Sequence, residues 1–171
     1  MIDAIAITNY FVEKSKEDKQ CEKLTLLRLV KYVYIAYGFA LVLLGRSIIN
    51  DRFDKVEAWK YGPVIPSVYH SFKHFKNRVI DAVASILVME DMDGTMTFEA
   101  PKVDDNSVMA VLDFVWDRYK NITTTNLIDI LHKDGTPWKF CYREGLNEEI
   151  PQEMTYVYYK KLVESLSSKH G

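Results

Sequence analysis

Residues 25–45, TLLRLVKYVYIAYGFALVLLG, decide the fold. Leu26, Leu29, Val30, Val33, Tyr37, Ala40, Leu41 and Leu44 recur at helical spacing along one wide apolar face. Leu27, Tyr34 and Ile35 carry that face nearly all the way round the middle of the helix. A surface this broad must be covered from several sides, which puts the helix at the centre of a bundle. Thr25 is available as its N-cap, and Gly45 is placed to stop it. Lys31 is the anomaly, because a lysine inside so apolar a helix is costly unless its amine reaches water or an acceptor.

The next informative stretch is residues 52–75, RFDKVEAWKYGPVIPSVYHSFKHF. Phe53, Val56, Trp59 and Tyr61 bring bulky groups into a segment without helical spacing, and Tyr61-Gly62-Pro63-Val64-Ile65-Pro66 follows at once. Proline fixes its own φ and disfavours the α region for the residue before it, so Gly62 and Ile65 are expected to be extended or in turns. Pro66 can open the helix that follows. The result is a rigid aromatic elbow whose carbonyls need donors that proline cannot supply. Lys31 and Tyr34 are the candidate donors to the Trp59–Pro66 segment.

Around these two stretches the remaining elements read in order. Ile2–Lys14 is a helix with Asp3 as its cap, and Lys14–Lys23 is a connection. Ser67–Lys76 is a helix with Val68, Tyr69 and Phe72 inward and a basic end at Lys73, His74, Lys76 and Arg78. ILVME and TMTFE, either side of Asp91-Met92-Asp93-Gly94, read as a hairpin that must pack on helices or pair near Asp54–Trp59. Asp104 or Asp105 caps an amphipathic helix through Val108, Val111, Leu112, Val115 and Tyr119. Thr124 or Thr125 caps a short helix to Leu131, Thr136-Pro137 starts a turn to Arg143, and Gly145–Ile150 is a loop. Pro151 opens a last helix to about Leu166. The expectation is a mainly α (α+β) fold: one compact domain over residues 1–171, core about 3–166, with about six helices and a small antiparallel β element.

Composition narrows the function classes. A 48% apolar share in 171 residues supports a core without staples, and a net charge of −2 argues against binding nucleic acid by bulk charge. Two cysteines, Cys21 and Cys141, are too few for a disulfide framework, and the N-terminus has no secretory h-region. The longest uncharged run, Tyr32–Leu44, falls short of a membrane span. These features read as a cytoplasmic protein with reduced thiols.

No phosphate loop, dinucleotide fingerprint, nucleophile elbow or zinc-protease motif is present, so no enzyme, cofactor or metal is assigned. His70 and His74 have metal-ligand spacing, but Lys73, Lys76 and Arg78 oppose a cation. Cys141 lies between Lys139 and Arg143, a setting that lowers a thiol pKa, yet a structural cysteine is the simpler reading. His132 suits a helix C-terminus, a polar clasp onto another loop or, third, a ligand role. The basic run Lys73–Arg78 keeps a nucleic-acid-binding regulator as the alternative function, although no base-reading motif accompanies it.

Three blocks resemble the Panacea domain, also called the SocA-like antitoxin domain. KLTLLRLVKYVYIAYGFAL (23–41) is similar to its "kLqKLLYya" opening. Ala58-Trp59-Lys60-Tyr61-Gly62-Pro63-Val64, with Pro66, Val68 and Tyr69, resembles its AWxYGPVxPxVY signature. LIDILHKDGTPW (127–138) resembles its "L…tHxxxPW" segment at His132, Pro137 and Trp138. Val30 and Tyr37 depart from the glutamine and histidine common there.

The resemblance implies a non-enzymatic antitoxin that neutralises a cognate toxin by direct contact. One relative is an adaptor that delivers its toxin to the ClpXP protease, and others are phage-associated proteins. Lys31, Tyr34, Trp59, Tyr61, Gly62, Pro63, Tyr69, His132, Pro137 and Trp138 form the binding or structural signature. Trp59 and Tyr69 read as packing residues, and Lys31 and His132 as clasps. A small enzyme built on His132 and Cys141 is the third reading.

Overall fold

A computed structural model describes residues 3–18, 21–89 and 96–168. The helices are α1 (Ala4–Glu17), α2 (Leu26–Leu43), α3 (Pro66–Phe72), α4 (Asn106–Tyr119), α5 (Thr124–His132), α6 (Pro137–Cys141) and α7 (Gln152–Ser167). A 3-10 turn, Lys73–Phe75, extends α3. The strands are β1 (Glu57–Trp59), β2 (Gly62–Val64), β3 (Ile86–Met89), β4 (Met96–Glu99) and β5 (Glu148–Glu149). The architecture is mainly α (α+β), as expected, but among the described residues there are seven helices rather than about six, and two small antiparallel sheets where one β element was expected.

Helix α2 is the axle. α1, α3, α4, α5, α7 and β2 all pack on it. By length and mean hydropathy (1.7) it matches a membrane span, but 83% of it is buried inside the fold. Its aromatic groups set the spacing of the bundle. Tyr32 stacks at 5.4 Å from Phe11 of α1 and lies 5.5 Å from Trp116 of α4, while Phe39 meets Phe114 and Tyr159 edge-on. A Cβ on Gly38 would overlap the ring of Tyr159, so only glycine lets α7 lie this close to α2.

Arg28, on the same helix, is fully buried. Its guanidinium donates to the Ile122 (2.6 Å), Lys120 (2.8 Å) and Tyr119 (3.3 Å) carbonyls and pairs with Glu22 at 2.9 Å. The three carbonyls cluster where α4 ends, the Tyr119 one also accepting from the Ile122 N–H (3.0 Å) and the Tyr32 hydroxyl (3.3 Å), and a cation there meets the negative end of the helix dipole. Nothing in the one-dimensional pattern distinguishes this arginine from a surface residue.

Caps largely follow the sequence. Asp3 and Asp105 accept backbone N–H groups at the starts of α1 and α4. Thr25 occupies the N-cap position of α2 without a side-chain bond, and Thr123, rather than Thr124 or Thr125, caps α5 through Asn126 N–H at 3.2 Å. Helix α1 continues three residues past Lys14 to Glu17.

Two β expectations are corrected. Among the described residues the hairpin does not pair near Asp54–Trp59: β3 and β4 pair only with each other, Leu87 opposite Phe98, and both side chains stay exposed at 53% and 77%. The Asp91–Gly94 turn lies outside the described residues. Residues 145–150 are not simply a loop, because β5 adds to the other edge of β1 and Ile150 N–H donates to the Val56 carbonyl at 2.7 Å.

Candidate functional site

The elbow is a tight hairpin. Trp59 pairs with Gly62 across the two-residue connection Lys60-Tyr61, and Pro63 stands opposite Ala58. Gly62 adopts φ +105°, in the region that favours glycine. Space requires glycine as well. A Cβ there would stand 3.0 Å from Lys31 Nζ and 3.5 Å from His132 Nε2.

Lys31 is fully buried and donates to the Pro63 carbonyl at 3.1 Å. The predicted clasp therefore exists, with one correction: Tyr34 does not share it. Tyr34 lies on the side of α2 that faces α7, edge-on to Tyr159 at 6.0 Å. Burial pushes its phenol pKa up, partly offset by the Thr155 hydroxyl. Burial holds the Lys31 amine down to about 7. A neutral amine still has N–H groups to donate, so the bond to Pro63 does not depend on its charge.

The opposite side of the elbow is held by α6. Thr136 caps this helix and Pro137, buried, starts it. Trp138 donates its indole N–H to the Trp59 carbonyl at 2.7 Å. Its ring is stacked 3.5 Å from His132, nearly parallel at 4°, and 4.6 Å from Tyr142 on a further ring pair. His132 Nε2 is buried without a hydrogen-bond partner, and its pKa is lowered by burial first and by nearby Lys31 second. His132 is thus a stacked clasp residue rather than a cap for its own helix.

The outer face of the elbow is different. Trp59 and Tyr69 meet edge-on at 4.8 Å, both half-buried, and the Trp59 indole N–H donates to Glu57 at 2.7 Å. Tyr61 is 56% exposed. Together with α2 they border a cleft of about 390 Å³.

The other candidates do not assemble. His70 ends up on α3 against Tyr69 and His74 on the 3-10 turn against Phe75, so the helical spacing between them is lost. Among the described residues no group of three or more His, Cys, Asp or Glu is arranged to hold a metal. The Cys141 thiol lies 3.8 Å from the Met154 sulfur, and burial raises its pKa despite Arg143, contrary to the activation its neighbours suggest. A raised thiol pKa disfavours the thiolate that the His132–Cys141 reading needs.

Sequence reasoning found Lys31, Gly62 and His132 but missed how Trp138 and Trp59 join. All three blocks singled out above converge on Gly62. Residues 29–139 match the family described as Antitoxin SocA-like, Panacea domain. The chain is also 29% identical over 143 residues to Antitoxin SocA of Caulobacter vibrioides (strain NA1000 / CB15N), covering 80% of this chain and 69% of that one. No solved structure matches significantly.

Proposed function

The chain belongs to the Antitoxin SocA-like, Panacea domain family, and from that premise we propose that it is a non-enzymatic antitoxin that neutralises a cognate toxin by direct protein–protein contact in the cytoplasm. The observation that carries this reading is the alignment with Antitoxin SocA over most of this chain. The unit extends beyond the matched residues 29–139, because α1 and α7 close the same core around α2. The signature has a divided role. Lys31, Gly62, Pro63, His132, Pro137 and Trp138 build the fold from inside, leaving Tyr61, Trp59 and Tyr69 at its surface. Tyr34 belongs to the core under α7.

The test is co-expression with the toxin encoded beside this gene. Growth is expected to recover and the two proteins to co-purify. Growth that stays arrested, with no complex, would refute the antitoxin role. Recovery that vanishes in cells lacking ClpX would assign the chain to protease delivery, and recovery that persists there would assign it to occlusion.

A further inference from the structure

Lys60, Lys73 and Lys76 reach the rim of the cleft outside the elbow, and all three are exposed. Several cations elsewhere are held in ion pairs, for example Lys14 with Asp113 at 2.6 Å, Arg46 with Asp105 at 2.6 Å and Lys120 with Asp18 at 2.9 Å. Among the described residues no carboxylate pairs with the three cleft lysines, and no acidic residue lines the cleft. Three ammonium groups without a carboxylate partner thus rim one concavity, Lys60 also lying over the Tyr61 ring at 5.5 Å, and together they favour a negative partner there.

The backbone adds a second sign. Lys76 sits at φ 54°, ψ −119°, a conformation suited to glycine, and no other non-glycine residue among those described has positive φ. Such strain costs about 1–3 kcal/mol and clusters at binding sites. Here it carries a long cationic side chain to the cleft edge.

The walls are apolar and aromatic. Trp59, Tyr61 and Tyr69 stand over a floor that includes Val30 and Val64, and exposed Leu27 continues it. A bare anion would leave those surfaces wet, and the short concave shape does not provide the extended track that a nucleic-acid backbone needs. An apolar or aromatic anchor flanked by carboxylates satisfies both the walls and the rim.

We propose that this cleft is where the toxin docks, and that it receives an acidic segment of the toxin carrying an apolar or aromatic anchor side chain. This rests on the antitoxin reading above. Lys31, which also lines the cleft, and Trp138 tie down the same hairpin through the Pro63 and Trp59 carbonyls, so the docking surface is held in place before binding.

The test is calorimetric titration of the toxin with wild type, with K60E/K73E/K76E, with Y61A and with K160E/K161E, whose lysines are exposed on α7. Circular dichroism melts establish that each variant folds. The triple reversal is expected to weaken binding at least about 100-fold and Y61A about tenfold, while K160E/K161E stays within about threefold. A folded triple reversal that binds like wild type overturns this inference and leaves the antitoxin role standing. A wild type that binds no toxin overturns both. If a 20-nucleotide single strand displaces toxin from wild type but not from the triple reversal, the cleft is a phosphate site and the inference falls.

Discussion

Arg28 and Lys31 are one helical turn apart on α2, both fully buried and both cationic in water, yet their surroundings have opposite characters. Arg28 meets three carbonyls and a carboxylate, and its charge is permanent. Lys31 has one carbonyl for a partner, and burial brings its amine close to neutrality at physiological pH. The arginine locks the junction of α4 and α5 to the axle with charge-assisted bonds. The lysine locks the elbow with an amine that keeps its bond whether or not it keeps its proton. Burial alone does not define what a buried cation does; the number of acceptors around it does.

Three measurements test this contrast. The largest effect is expected for Arg28→Met, which removes the guanidinium donors from the Lys120 and Ile122 carbonyls and the partner of Glu22. A loss of about 3–5 kcal/mol in urea unfolding is expected. A loss below about 1 kcal/mol would mean that the two cations are energetically alike. Next comes Gly62→Ala. It places a side chain at φ +105° and crowds Lys31, so about 2–3 kcal/mol should be lost, with faster amide exchange across β1 and β2. Unchanged exchange there would show that the elbow does not depend on the close approach.

The smallest effect at neutral pH, and the most diagnostic, is Lys31→Met. An unfolded lysine titrates near 10.5, whereas the folded one titrates near 7. Between those values the unfolded chain holds a proton that the folded chain has released, so folding stability gained from Lys31 rises with pH. Relative to the Met variant, wild type should gain about 1 kcal/mol per pH unit from pH 7 to pH 9.5, before the tyrosines titrate. A flat difference would mean that Lys31 stays charged, as Arg28 does.

The same pair shows what the chain discloses in one dimension. Lys31 was legible because it interrupts an unbroken apolar face next to an elbow short of donors. Arg28 sits at the edge of that face, where an arginine at a helix start draws no notice, and its carbonyl acceptors come from more than ninety residues away. Helices α2 and α4 were legible through their 3.6-residue spacing. Strand β5 was not, because two glutamates carry no alternation, and they form a strand only because β1 offers a free edge. Tyr34 was assigned to the elbow by proximity in sequence to Lys31, but three residues along a helix leave an offset of about 60° and a rise of about 4.5 Å, and that sets Tyr34 against Tyr159 of α7. The indole bond from Trp138 to Trp59 depends on tertiary placement alone.

The close seating of Tyr159 over Gly38 has a consequence during synthesis. Helix α2 leaves the ribosome early, while α7, which covers it, is made last. For on the order of 10 s at ordinary elongation rates, the growing chain carries this apolar helix with the side that Gly38 and Tyr34 present to α7 still uncovered. The arrival of the sixteen-residue α7 completes the cover that α1, α3, α4 and α5 begin.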